Sequence, residues 1–306
     1  MLPCRPVTSL RPLDVRGTLI SLVLAALWAG NPIAVKVALA DAPPLRLAWM
    51  RFVLGGLTIL AYALWTKRAG LLRFRRDEWR TMWSVGVLFA VQIGLMNYGL
   101  SLTSAAHATV LLNAYAVHSV LLAHFFMPGD RLSLATLAGV LVAYAGIVLL
   151  FAGDFSLEGS TLLGDLVVSA SALLLGERIV YMARAVQRLD PVKLLIGQSA
   201  IGSACFVLAS LVWERGTPTA YTVSLGLALL YQGVVVAGVL FLVNTWMLQR
   251  YRPSVLAAPA LTTPIFGLLI ARLITGDPLT PALLSSGLLV ALGIGITTWG
   301  VRGTSP

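Results

Sequence analysis

The sequence predicts an all-α integral membrane protein: ten transmembrane helices arranged as two inverted five-helix repeats. Three observations support that expectation. The composition is too apolar for water, the apolar residues fall into runs of membrane-crossing length, and the second half of the chain matches the first at a fixed offset. Of 306 residues, 58% are hydrophobic and 11% charged, with a mean hydropathy of +0.89. A soluble globular chain has roughly 45–50% apolar and about 25% charged residues. Too little polar surface remains to coat a water-soluble body, which excludes soluble enzymes, nucleic-acid binders and disordered chains.

The apolar runs cover residues 17–37, 45–66, 81–100, 104–127, 133–152, 163–183, 192–213, 223–247, 254–275 and 280–300. Each is close to the ~20 residues a helix needs to cross a hydrocarbon core of about 30 Å. Helices are expected rather than barrel strands because the runs are continuously apolar, whereas barrel strands alternate over about ten residues. The first run follows Arg5, Arg11 and Arg16 and ends near Ala38-Leu39-Ala40, which resembles a signal-peptidase site. Its length, and Lys36 just before that point, mark it instead as the first span. Connections are short apart from the polar, basic stretch 67–80. Cys4 and Cys205 are the two cysteines; they imply neither a disulfide framework nor a metal site.

Shifted by 147 residues, the chain aligns with itself without a gap over most of its length. Gly17 falls on Gly164, Pro44 on Pro191, Arg46 on Lys193, Gly55 on Gly202, Asn97 on Asn244 and Gly146 on Gly293. Gly129-Asp130-Arg131-Leu132-Ser133 falls on Gly276-Asp277-Pro278-Leu279-Thr280. Apolar matches are common in any membrane protein, but polar, proline and glycine matches in one register indicate duplication. The expected units are residues 17–152 and 163–300, with tails at 1–16 and 301–306.

Charge placement sets the orientation. If the spans alternate in direction, one side of the membrane receives Arg5, Arg11, Arg16, Lys67, Arg68, Arg73, Arg75, Arg76, Arg80, Arg131, Arg184, Arg188, Lys193, Arg250, Arg252 and Arg302. The other receives Arg46 and Arg215, and Lys36, Arg51, Arg178 and Arg272 lie inside spans. The positive-inside rule then places both termini in the cytoplasm of a multi-pass plasma (inner) membrane protein. Because five is odd, the second unit enters the membrane in the opposite sense. Inverted repeats of this kind mark secondary transporters, with the substrate site near mid-membrane between the halves.

Particular stretches carry a family resemblance. Ala25-Ala26-Leu27-Trp28-Ala29-Gly30-Asn31-Pro32 through Lys36, Arg51-Phe52, the Asn97 and Asn244 spans, and the Gly-acidic-x-Leu-Ser/Thr segments at 129–133 and 276–280 resemble the ten-span EamA branch of the drug/metabolite transporter superfamily. Thr262-Thr263-Pro264 is similar to the family's Leu-Glu-Pro element without its Glu. Val117 stands where the second unit has Pro264, Asp130 and Asp277 replace the usual Glu, and Glu177-Arg178 sits in a span that is usually uncharged. The resemblance implies a small-molecule exporter or permease, often for amino acids or related metabolites.

Ionisable groups inside spans cost roughly 2.5–3.5 kcal/mol at a helix centre and face a cavity or a partner. Lys36 and Arg51 are candidates for a cationic lining that attracts a carboxylate or phosphate; a snorkelling stem for Lys36 and an ion pair for Arg51 are the alternatives. Arg272 is expected to snorkel. Glu177, deep in its span, is a candidate proton-coupling site, a partner of Arg51 or Lys36, or cavity wall. His118, near mid-span, is a second proton-coupling candidate or a hydrogen-bonded packing residue. His107 shares its face but lies about 16 Å away, so the two cannot bind one metal ion, and His124 points elsewhere.

Pro32, Pro259 and Pro264 each remove a helix hydrogen bond, and in membrane the freed carbonyl needs protein or a wet cavity. These prolines are therefore candidate helix breaks. Trp28, Asn31, Gln92, Thr262 and Thr263 are candidate cavity walls, and Asn97 and Asn244 candidate packing or closure residues. Gly139, Gly146, Gly293 and Gly295 suit spans 133–152 and 280–300 to close helix packing or dimer contact. The expected function is gradient- or proton-driven alternating-access transport of a small polar metabolite, with lipid as the solvent. The alternatives are a channel or scaffold and, further off, a lipid-modifying enzyme. No Gly-x4-Gly-Lys-Ser/Thr loop occurs, so no ATP chemistry, cofactor, metal or nucleic acid is expected; monomer and homodimer both stay open.

Overall fold

A computed structural model describes residues 14–66, 75–126, 133–154, 159–251, 256 and 262–302. Pro259, Asp130 and the outermost parts of both tails lie outside them. The described chain is helical: α1 (Val15–Ala29), α2 (Asn31–Leu39), α3 (Pro44–Trp65), α4 (Trp79–Leu102), α5 (Ala105–Asn113), α6 (Tyr115–Phe126), α7 (Leu134–Asp154), α8 (Gly159–Ala185), α9 (Pro191–Trp213) and α10 (Val223–Leu230). A π-helical segment (Tyr231–Leu240), α11 (Phe241–Leu248), α12 (Thr263–Ile274) and α13 (Pro281–Arg302) follow.

Among the described residues, seven stretches are long and apolar enough to cross a membrane: Val15–Leu39, Pro44–Trp65, Trp79–Leu102, Ala105–Phe126, Thr161–Ala185, Pro191–Trp213 and Val223–Leu248. Leu134–Leu150, Thr263–Ile274 and Pro281–Thr297 are shorter apolar helices. This is an integral multi-pass membrane protein. The stretch expected at 254–275 is represented by α12, which covers only its C-terminal part. The first span, in which Pro32 is a candidate break, is interrupted between α1 and α2 at Gly30. The span 104–127, expected to be continuous, is interrupted between α5 and α6 at Ala114, and a third passes through the π-helical segment.

The bundle is tied by polar contacts at two ends. At one end Asp14 caps α1, its carboxylate accepting from Gly17 N (2.7 Å) and the Tyr251 hydroxyl (2.9 Å). Those two donors, the Gly17 N–H foremost, hold the Asp14 carboxyl below its ordinary range. A depressed carboxyl pKa contributes stability at neutral pH that fades as pH falls through the folded value. Lys193 pairs with Glu78 at the same end, and Gln187 donates to the Leu248 carbonyl (3.3 Å).

At the other end Glu214 accepts from the first free N–H groups of α3, Leu45 (2.7 Å) and Arg46 (2.8 Å), and from Ser210 (2.8 Å). Pro43, at the N-cap of α3, offers no side-chain cap, so a carboxylate from the neighbouring helix fills that role. Arg46 in turn donates to Thr217 and Thr219. Asn97 donates to the Pro44 carbonyl (3.0 Å), joining α4 to α3.

Between the ends an aromatic cluster and close helix packing join the polar contacts around the cavity. Phe52 and Phe89 meet edge to face at 4.5 Å, and Phe206 and Phe241 sit 6.1–6.3 Å from them. α7 packs along α13 through Gly139, Gly146 and Gly293, where the two backbones touch. The closeness expected of these glycines is therefore spent within the chain.

A Cβ at Gly293 would overlap the backbone of Ala143 and Gly139, whereas one at Gly226 meets nothing within 4 Å. Gly293→Ala is expected to destabilise the purified protein by about 1–3 kcal/mol. Gly226→Ala serves as the neutral comparison, both being read by thermal unfolding in detergent.

Candidate functional site

A cavity of about 170 Å³ lies among α1, α2, α3, α4, α5, α6, α8, α9 and α11, with walls from both halves of the chain. Local breaks in three helices shape it. The α1–α2 break comes at Gly30, and Pro32 stands in the first turn of α2, where its missing N–H costs nothing. The Tyr231 hydroxyl, from the start of the π-helical segment, donates to the Leu27 carbonyl beside that break. A Cβ at Gly30 would crowd that hydroxyl at 2.8 Å, so the break needs glycine for the approach.

The α5–α6 break has no proline. Asn113 Nδ2 donates to the Thr109 carbonyl (2.7 Å), an i−4 back-bond that competes with the helix ladder. The π-helical segment lies against α3, with Gly233 over Leu54 and Gly238 over Thr58. Its wider turn brings Gln232 to Arg51.

Arg51 lines the cavity, is almost fully buried, and donates from Nη1 to Gln232 Oε1 (3.1 Å). Its guanidinium carbon is 4.4 Å from the centre of the Phe52 ring. Gln232 Nε2 donates to the Ala34 carbonyl (3.0 Å). Arg178 lines the same cavity, 5.2 Å from the Phe89 ring and 5.6 Å from Phe241, and its Nη1 donates to Gln198 Oε1 (3.4 Å). Gln92 donates to Ser171 Oγ (3.0 Å), which returns a bond to the Gln92 carbonyl (2.8 Å).

Trp28, Asn31, Pro32, Arg51, Gln92, Asn244 and Thr263 all contribute to the lining. Six other expected site residues do not. Glu177 is exposed on the outer face of α8, and among the described residues it pairs with neither Arg51 nor Lys36. One residue along a helix turns the side chain by about 100°, so Arg178 faces inward and its neighbour outward. His118 is buried away from the cavity, its Nε2 2.7 Å from the Tyr144 hydroxyl and its Cβ against Gly176. It is a packing histidine.

Lys36 turns to the end of α4, donating to the carbonyls of Leu100 (2.9 Å) and Thr103 (2.6 Å) that the helix leaves open. Asn97 and Thr262 lie off the cavity, and Pro264 opens α12 rather than breaking it. Arg272 is exposed and donates to the Gly276 carbonyl (3.3 Å).

Sequence reasoning passed over Arg178, Gln198 and Gln232 as site residues. The 147-residue register held a signal for two of them: Gln198 falls on Arg51 and Arg178 on Asn31. It also passed over a polar cluster where α4 ends and α5 begins, whose members do not line the cavity. There Asp165 accepts from Thr103 Oγ1 (2.5 Å) and meets His107 Nδ1 (2.8 Å), while Asp277 accepts from Ala106 N (2.8 Å).

Fold and cavity together define a multi-pass membrane protein with a chamber, largely apolar but holding two arginines, walled by both halves of the chain. The chain belongs to the EamA-like transporter family, whose pattern matches residues 15–152 and again 162–299. It is 20% identical over 275 residues to the uncharacterized transporter YoaV of Bacillus subtilis (strain 168), spanning 89% of this chain and 93% of that one. It is 25% identical over 292 residues to a probable amino-acid metabolite efflux pump of Salmonella typhimurium, spanning 92% and 95%. A protein of the same description from Escherichia coli (strain K12) is 24% identical over 291 residues, with the same coverage. A crystal structure of a protein 24% identical to this one shares the fold, with a TM-score of 0.72 over 94% of this chain and 98% of that one.

A wet chamber can be distinguished from lipid by thiol chemistry, because the thiolate is the reactive species. With Cys4 and Cys205 replaced, Asn244→Cys is expected to react with a water-soluble methanethiosulfonate. Leu211→Cys, on the exposed apolar face of α9, is expected to stay unmodified in vesicles.

Proposed function

We propose that this protein is a secondary transporter that exports a small polar metabolite, an amino acid or a related compound, across the plasma (inner) membrane by alternating access. The observation that carries the reading is the cavity itself, walled by both family repeats and by interrupted helices, with its polar groups only partly satisfied by protein. Freed backbone and buried polar groups are tolerated at membrane depth where they border a cavity. The efflux pumps among the relatives support export.

The proposed halves are residues 17–152 and 163–300, inverted with respect to each other, with the tails 1–16 and 301–306 cytoplasmic. Helix pairing supports the inversion. α3 lies on α9, α7 on α13 and α5 on α12, each a pairing of register-equivalent spans. α4 against α9 is answered by α3 against the π-helical segment, and α4 against α8 by α2 against α10. Gly164 abuts Leu102 and Thr103, while its counterpart Gly17 borders Arg250 and Tyr251 at the opposite end.

Rocking of the two halves would expose the cavity to each side in turn, driven by the solute's own gradient or by proton exchange. Glu177 and His118, the two candidates for proton coupling, do not border the cavity.

Two measurements test this. Purified protein in vesicles is expected to pass one or more small polar metabolites with saturable flux, and Glu177→Gln to keep that flux with and without a pH gradient. Arg76→Cys and Val223→Cys occupy equivalent register positions at exposed helix ends. They are expected to label from opposite membrane faces; labelling from one face would remove the inversion and the alternating-access mechanism with it.

A further inference from the structure

We propose that the cavity selects a small organic dianion, a dicarboxylate or a phosphate monoester, over a zwitterion. The inference rests on the transporter reading and names the solute class of the same site. Arg51 and Arg178 both line the cavity, and among the described residues no Asp or Glu does. The two carboxylates within the spans are spent elsewhere, Asp165 on Thr103 and His107, and Glu177 on the outer face.

Among the described residues no carboxylate pairs with either of these two charges. Each guanidinium has one amide oxygen, Gln232 Oε1 at 3.1 Å or Gln198 Oε1 at 3.4 Å, and aromatic faces at 4.4–5.6 Å. A ring quadrupole attracts a cation but carries no counter-charge. The Nε donors of both arginines are buried without a partner among the described residues. So are Asn31 Oδ1, Gln92 Oε1, Asn113 Oδ1 and Gln198 Nε2, all from side chains of the cavity wall. Buried donors and acceptors left open around one chamber mark the place where a solute completes them.

The register adds a constraint on the solute's shape. Asn31 corresponds to Arg178, and Arg51 to Gln198. Each half therefore supplies one guanidinium and one amide, on exchanged helices. The two cations approach the cavity from opposite halves, so a solute with negative charge at both ends is held by both at once. An amino acid offers one carboxylate, and its ammonium finds only neutral amide oxygens and two cations. A dianion gains a charge-assisted, geometrically paired contact at each end.

The test uses the full-length protein in detergent and in vesicles. Malate, glycerol phosphate, lactate and alanine are titrated against thermal stability, and the same solutes are followed as flux. Malate or glycerol phosphate is expected to stabilise at concentrations about tenfold or more below alanine, and the two arms separate a carboxylate from a phosphate preference. Arg51→Gln and Arg178→Gln are each expected to weaken the dianion's effect about tenfold, and to weaken alanine's by less, so that the preference for the dianion shrinks. Arg51→Lys and Arg178→Lys are expected to retain part of it.

Should a Gln variant fail to fold, the cavity charge is read with both arginines present. An anionic methanethiosulfonate is expected to modify Asn244→Cys faster than a cationic one. Equal stabilisation by alanine and malate, dianion binding that survives both Gln variants, or faster cationic labelling overturns the proposal. Dianion binding without flux of any solute overturns the transporter reading instead and leaves the anion site standing.

Discussion

A hydrocarbon layer offers no hydrogen bonds, so every polar group carried into it must find its partner in the protein or in water the protein admits. That constraint orders the structure. It makes the described chain helical, and it decides what happens where helices stop. The Leu27 carbonyl beside the α1–α2 break receives the Tyr231 hydroxyl. The open carbonyls of α4 receive Lys36, and the open N–H groups of α3 receive Glu214. None of these partners comes from the helix it serves; each joins two helices distant in sequence. Completing a broken ladder and fastening the bundle are thus the same act. Of the ten buried side-chain groups left without a partner among the described residues, six border one cavity.

The placement of polar and apolar contacts suits a body that rocks. The ends are held by a few directional bonds, such as Asp14 with Tyr251 and Glu214 with α3. The middle is held by the rings of Phe52, Phe89, Phe206 and Phe241, two from each half. Ring contacts tolerate a change of angle better than hydrogen bonds do, because edge-to-face and offset arrangements lie close in energy. Both cavity arginines rest on this cluster, so the same rings can serve as hinge bearing and as the floor beneath the solute.

The membrane class was legible because length and hydropathy report directly on the solvent. The expected run 104–127 is Ala105–Phe126 in the structure, and 192–213 is Pro191–Trp213. Asn31, Arg51 and Gln92 were legible as cavity residues because polar groups inside spans have few places to go. The facing of α8 was not. Its spans of Leu, Val, Ala and Ser are apolar on every side, so hydropathy does not say which of Glu177 and Arg178 turns inward. The α5–α6 break was hidden because Asn113 bends its helix through a side-chain bond and no proline announces it. The π-helical segment has no marker beyond Gly233 and Gly238, whose close approach to α3 appears only in three dimensions.

The two ends of the bundle are not equivalent, which bears on how the proposed alternating-access cycle would be biased. At one end Lys36, Thr103, Asp165 and His107 make a polar knot across three spans, and Gly276, at φ 72°, turns the chain so that Asp277 caps α5. The register counterparts of Lys36, Thr103 and Asp165 are Ala183, Arg250 and Thr18. In the proposed cycle those residues could not rebuild the same knot if the halves exchanged conformations. Closure of the opposite end would rest on other contacts, of the kind seen between Asp14 and Tyr251 or Gln187 and Leu248. Duplication would supply two similar conformations, and divergence at positions such as 36, 103 and 165 would remove their equality. A solute moving between them would meet an unequal pair of states, and its differential affinity for the two would set how far it shifts them.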